Sequence, residues 1–328
     1  MENGIKCECE CECEQNRLKF FPIMMYAIVM GLGGLTITYQ KAHIWLGFPS
    51  IIGTIFMYIT TITFAVISVI YMLKYFKYKQ AVIAEFNHPI RINFFAAISI
   101  SMLMLAIIYK EEFVSLSAWL WYLGVILHFV LTMYTISFWI NKNQVLDHSN
   151  PAWFIPIVGN VLVPVGGVGF ANAGILNYFF SVGMFFWIVL FALILNRIIF
   201  HHQMASKFMP TLFILIAPPA VGFIAYVKLY GHIDTFALML FNMGLFFTFL
   251  VAFMYKNFIK IKFFISWWAF VFPVAAMAIS SMLMFHHTKD IALFILSYVL
   301  ITAVTLIVII VAYNTIVNIN EKEICIQE

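Results

Sequence analysis

FFISWWAFVFPVAAMAISSMLMF (Phe263–Phe285) and IALFILSYVLITAVTLIVIIVAYNTI (Ile291–Ile316) follow one another closely near the end of this 328-residue chain. Neither stretch holds a charged residue. Each is longer than the roughly 20 apolar residues that a helix needs to cross the hydrocarbon core of a bilayer. Their textures differ: the first carries Pro273 and the small pair Ser280 and Ser281, whereas the second has no proline and is dominated by Leu, Ile and Val.

Working outward from this pair, apolar runs bounded by charged or turn residues predict ten spans. They are roughly Phe20–Tyr39, Ile51–Leu73, Ile92–Tyr109, Leu116–Ile140, Trp153–Ala171, Ile175–Ile198, Thr211–Val227, Thr235–Met254, Phe263–Phe285 and Ile291–Ile316. Composition agrees: 64% of residues are hydrophobic and only 10% charged, against about 25% charged in soluble domains. The net charge of +4 gives no case for a nucleic-acid partner. No small-residue cleavage site follows the first apolar run, which is expected to be a retained helix.

The lysines and arginines set an expected orientation. Placing both termini in the cytoplasm leaves only Lys41, Lys110, Lys228 and Lys289 outside, with the other fourteen of the eighteen basic residues inside. The expected location is therefore the cell membrane, as a multi-pass protein. Residues 20–316 form the membrane domain, 1–19 a low-complexity Cys/Glu tail and 317–328 a second cytoplasmic tail. Trp119, Trp139, Trp153, Trp267 and Trp268 fall near span ends, where tryptophan anchors at the interface or packs.

Proline and glycine divide the spans into two kinds. Pro156 and Pro164 fall in the fifth, Pro218 and Pro219 in the seventh and Pro273 in the ninth, while Pro22 opens the first. The even-numbered spans have no proline. Small residues follow the same division: Gly31, Gly33 and Gly34, then Ser99 and Ser101, then Gly166, Gly167 and Gly169. An interior proline frees a backbone carbonyl, and lipid does not tolerate such a group unless protein or a wet cavity satisfies it. The alternation predicts an all-α membrane fold of ten transmembrane helices as five helical hairpins around a central pore, odd helices inner and even helices outer. Five touching cylinders about 10 Å across leave an axial hole of roughly 3.5 Å radius. Gly31, Gly34, Ser99, Pro156, Pro164, Pro218 and Pro273 are the candidate pore-lining or kinking positions. Irregular packing in an ordinary helical bundle is the alternative source of the pattern.

Five motifs resemble one known family: Tyr26-Ala-Ile-Val-Met-Gly-Leu-Gly-Gly, Asn87-His-Pro-Ile-Arg91, Phe154-Ile-Pro-Ile-Val-Gly-Asn160, Ala217-Pro-Pro-Ala-Val221 and Trp267-Trp-Ala-Phe-Val-Phe-Pro273. Together they resemble the tellurite-resistance/C4-dicarboxylate transporter family (TehA-like), which includes the slow anion channels of plant guard cells. The resemblance implies five hairpins around a pore, a homotrimer with one pore per subunit, permeation by small inorganic or organic anions, and a phenylalanine gate that falls on Phe272. It leaves open whether the chain is a channel or a C4-dicarboxylate or tellurite-related oxyanion carrier, proton-linked or not.

The chemistry of the residues runs beside that resemblance. Phe270 and Phe272 lie about 200° apart on a helix, so only one can face an axis; the resemblance selects Phe272. A ring across a narrow apolar bore blocks ions sterically and by dewetting. Every Asp and Glu falls outside the predicted spans, which removes the usual means of favouring cations or coupling protons. Arg91 is placed at a cytoplasmic mouth, able to draw anions or anchor a loop. Lys74, Lys77 and Lys79 read as an anchoring run, and His128, deep in an even span, as a hydrogen-bonded structural histidine.

No metal or other cofactor is expected. Cys7, Cys9, Cys11 and Cys13 alternate with glutamate, unlike the paired C-x₂₋₄-C spacing of zinc modules. The histidine pairs His201–His202 and His286–His287 fall on opposite sides. Without a convergent set of polar groups at membrane depth, catalysis has no candidate residues.

Overall fold

A computed structural model describes residues 17–325; the Cys–Glu tract lies outside the described residues. The chain is an all-α, multi-pass membrane protein. Nine helical segments among the described residues are long and apolar enough to cross a bilayer, and a shorter apolar one covers Pro151–Gly167. The apolar helices within these segments are α1 (Tyr26–Leu46), α2 (Ser50–Lys77), α3 (Ala96–Tyr109), α4 (Val114–Asn141), α5 (Ile155–Gly167), α6 (Ala173–Phe200), α7 (Ala217–Tyr230), α8 (Thr235–Phe253), α9 (Val271–Thr288) and α10 (Ile291–Asn320). The third and seventh stretches reach spanning length once their lead-in turns are included, at Arg91–Tyr109 and Ser206–Tyr230. The fifth falls short of the Trp153–Ala171 expectation. Its helix stops at Gly167, and the chain then turns through Gly169 at φ +92°, a conformation glycine adopts without a Cβ penalty.

Each odd-numbered helix is entered through a 3₁₀ segment: Ile23–Met25, Arg91–Phe95, Pro151–Phe154, Ser206–Ile216 and Ile265–Phe270. Proline chemistry explains much of this. Pro156, Pro218 and Pro273 sit in the opening turns of α5, α7 and α9, where a missing N–H costs least, so these prolines begin α-helices and do not bend them midway. Pro164 alone of the predicted prolines lies well inside an α-helix. Three of the even-numbered helices start on a capping side chain. Asn172, Asp234 and Asp290 cap α6, α8 and α10 with side-chain oxygens that accept backbone N–H bonds, the usual N-cap arrangement.

Burial follows the same division. In the apolar windows of the segments containing α1, α3, α7 and α9, 78–89% of residues are buried; in those of α2, α4, α6, α8 and α10, 22–39% are. All of α5 is buried. Exposed Ile62, Trp119, Ile126, Phe185, Phe249 and Ile309 lie on the even helices, as a lipid-facing surface requires. Helix α1 packs on α3, α3 on α5, α5 on α7, α7 on α9, and α9 back on α1; each also packs on the helix that follows it in sequence.

One polar knot ties the start of this assembly. Lys74 at the end of α2 donates to the Glu85 carboxylate at 2.7 Å and to the Phe21 carbonyl at 2.8 Å. The Tyr71 hydroxyl and the Ile23 N–H also donate to Glu85, at 2.9 and 2.8 Å. Both charged side chains are almost fully buried. Lys74 is therefore not part of a solvated anchoring run, and Glu85 lies on a short helix, Lys79–Phe86, that clamps the lead-in of α1.

Candidate functional site

A partly open apolar cavity of about 50 Å³ lies where the odd helices begin. Ala27 and Met30 come from α1, Phe94 and Ile100 from α3 and its lead-in, and Ile214 and Ala217 from α7 and its lead-in. Helix α5 contributes Ile155, Val158, Gly159 and Leu162, a spacing of i, i+3, i+4 and i+7 that presents one face. Phe154 from the lead-in of α5, and Trp268, Ala269, Phe272 and Pro273 from α9 and its lead-in, complete the wall. No even-numbered helix and no ionisable side chain contributes to the wall. The N-termini of α1, α3, α5, α7 and α9 meet at this level, and a helix N-terminus carries about half a positive charge.

Phe272 and Phe270 part company here. Phe272 lines the cavity, whereas Phe270 is buried among the rings of Phe213, Phe258 and Trp267, with centroids 4.6, 5.8 and 5.7 Å away. Position 34 helps fix this. A Cβ on Gly34 would stand 3.0 Å from Ala275 Cβ and 3.5 Å from Phe272 Cδ2, and one on Gly31 only 2.7 Å from Trp268 Cε3. These two glycines are contact points where α9 and its lead-in press against α1, and they sit behind the wall.

The other predicted positions divide. Pro273 lines the cavity; Gly31, Gly34, Ser99, Pro156, Pro164, Pro218 and Arg91 do not. The Ser99 hydroxyl turns outward to His128 Nδ1 at 2.9 Å, a contact between α3 and α4. The Pro156 carbonyl accepts from Thr132 at 2.9 Å, and the Val163 carbonyl, beside Pro164, accepts from Trp121 at 2.9 Å. Outer-helix side chains thus satisfy carbonyls of the proline-bearing α5. Arg91 opens the lead-in of α3, where its N–H donates to His88 Nδ1 at 3.3 Å. Sequence reading missed Met30, Ile100, Val158 and Leu162; only the periodicity of α5 signalled any of them. Among the described residues no group of three or more potential ligands could hold a metal ion.

A model of the voltage-dependent anion channel family matches residues 20–316. The chain belongs to this family. The membrane domain is 29% identical to the S-type anion channel SLAH2 of Arabidopsis thaliana over 91% of this chain, which spans 59% of that relative's length. It is 28% identical to an uncharacterised transporter of Methanocaldococcus jannaschii, over 83% of this chain and 86% of that one. A tellurite resistance protein TehA homolog of Haemophilus influenzae is 24% identical, over 83% of this chain and 84% of the relative. The sequence resemblance to TehA-like proteins and slow anion channels is thereby confirmed, and a family of channels and transporters, not of enzymes, is the setting for this cavity.

Proposed function

We propose that this protein is an anion channel in which ten membrane-spanning helices, paired as five hairpins, surround one conduit per subunit, with Phe272 as its gate. The observation that carries the reading is the composition of the cavity wall: all five odd-numbered helices or their lead-ins contribute to it, and no carboxylate does. Five helix N-termini at its level supply a weak positive field without a fixed charge that would hold an anion too tightly. The side chain of Phe272 lines that apolar space, and a ring across a bore of a few ångströms obstructs it and keeps it dry. Family membership and the likeness to an S-type anion channel support conduction as the activity.

Three further parts of the reading rest on sequence. The bias of basic residues puts both termini in the cytoplasm, with the Phe272 level toward that side. Residues 20–316 are the conducting unit, flanked by the tails 1–19 and 317–328. The family resemblance supports a homotrimer.

Reconstituted protein in a planar bilayer under a tenfold KCl gradient tests the activity. The expected reversal potential lies near the chloride equilibrium potential, about 59 mV from zero for a monovalent ion. Reversal near the potassium potential refutes the reading. So does a saturable flux abolished by collapsing a proton gradient, which is the behaviour of an oxyanion or dicarboxylate carrier.

A further inference from the structure

The opposite ends of the odd helices gather positive charge in an unusual way. Lys110 follows α3 directly, Lys228 lies in the last turn of α7, and Lys41 lies near the end of α1. Lys110 Nζ donates to the Gly166 and Val168 carbonyls at 3.0 and 2.5 Å. Lys228 Nζ donates to the Val165 carbonyl at 3.0 Å. Two ammonium groups from different helices therefore converge on the C-terminal end of α5, and the three lysines act on one another electrostatically. Burial holds the Lys110 ammonium below its usual pKa; Lys41 adds to this and Glu111 opposes it.

The charge around them is not balanced. Glu111 pairs with Lys41 at 3.6 Å but is largely exposed, and among the described residues no carboxylate lies within ion-pair distance of Lys110 or Lys228. Asp234 and Asp290 are spent as N-caps of the outer helices α8 and α10. Lys41, Lys110 and Lys228 thus lie on or directly after the buried helices, and the acids beside them, Glu111 and Glu112, are in the turn after α3. Each C-terminus of a buried helix carries about half a negative charge, which a passing anion meets as repulsion. At the end of α5, Lys110 and Lys228 are fixed on those carbonyls and offset that field. Lys110 keeps one N–H, and Lys228 two, beyond the bonds to α5.

We infer that Lys41, Lys110 and Lys228 form an anion-binding site at the mouth opposite Phe272, taking a small inorganic anion or a carboxylate. The inference rests on the anion-channel reading and gives it a second, charged station at the far end of an apolar conduit. The site concentrates anions where the helix dipoles alone would deplete them.

Single-channel conductance of wild type, Lys41→Met, Lys228→Met and Lys110→Arg tests this, with salt lowered on one bilayer face at a time. At about 10 mM salt, where the Debye length is about 30 Å, Lys41→Met and Lys228→Met are expected to reduce current carried by anions from one face only, by up to roughly tenfold. The deficit is expected to vanish near 1 M, and Lys110→Arg, which keeps the charge, to match wild type. Conductance equal to wild type from both faces at low salt, in variants that elute as intact protein, overturns the site. A second readout separates this failure from failure of the channel reading. Chloride or nitrate is expected to raise the melting temperature of the detergent-solubilised protein, and Lys228→Met to reduce that rise. A wild type that carries no anion current refutes the channel; a rise unchanged in Lys228→Met refutes the site.

Discussion

Replacing Lys74 with methionine isolates the buried knot at the start of α1. The ammonium, 3% exposed, bonds to Glu85 at 2.7 Å and to the Phe21 carbonyl at 2.8 Å. Methionine fills similar space but leaves a buried carboxylate without its ammonium partner, still accepting from the Tyr71 hydroxyl and the Ile23 N–H. Removing one partner of a buried pair costs about 3–5 kcal/mol, and orphaning the Phe21 carbonyl alone would cost about 1–3 kcal/mol. We expect Lys74→Met to destabilise the protein by about 4 kcal/mol in equilibrium unfolding from mixed detergent micelles. Lys74→Met combined with Glu85→Met removes both charges and is expected to recover most of the loss. A cost for Lys74→Met below about 1 kcal/mol, the value of an exposed ion pair, refutes the reasoning. So does a double variant whose loss equals the sum of the singles.

Other substitutions test the packing behind the cavity and the described C-terminal end. A Cβ at Gly159 would stand 2.1 Å from His128 Cε1 and 2.9 Å from Ile100 Cγ1, so Gly159→Ala should cost about 1–3 kcal/mol by overpacking, and His128→Ala should relieve part of it in the same unfolding assay. Burial pushes the Cys325 thiol from a usual 9.0 up to about 11. With Cys7, Cys9, Cys11 and Cys13 replaced by serine, alkylation by iodoacetamide at pH 8 should therefore run about a hundredfold slower than for an open thiol, because only the thiolate reacts. Trp268 Nε1 donates to Thr315 at 2.9 Å; Thr315→Val should cost about 1–3 kcal/mol by stranding that buried donor.

Much of the architecture is written in where proline and glycine fall. The helices carrying Gly31 and Gly34, Pro218, and Pro273 are those whose residues are mostly buried, because a freed carbonyl or a bare backbone surface needs protein against it. What the proline pattern concealed was its local effect. Pro218 and Pro273 favour a 3₁₀ lead-in followed by an α-helix, a distinction that depends on which carbonyl an N–H finds and leaves no trace in hydropathy. Ser99 looked like a gap along an axis, yet its hydroxyl serves His128 on the neighbouring helix; small size and hydrogen-bonding ability are indistinguishable in a one-letter code. Lys74 and Glu85 stand eleven residues apart in a charged segment that reads as an anchoring run followed by a loop. Their burial arises only because the short helix Lys79–Phe86 folds back against the lead-in of α1. The pairing of Phe272 with the cavity was taken from family resemblance; helical geometry alone required only that Phe270 and Phe272 differ.

The conduit and its obstruction are tested most directly by single-channel conductance of Phe272→Ala beside Phe270→Ala, both verified as folded and inserted. Shortening Phe272 empties part of the cavity and removes an apolar barrier; each 1.4 kcal/mol lowered is about tenfold in rate. The account predicts a rise in anion current of tenfold or more for Phe272→Ala, and little change for Phe270→Ala, whose ring is packed against Phe213, Phe258 and Trp267. Unchanged current in Phe272→Ala, or an equal rise in both variants, contradicts it.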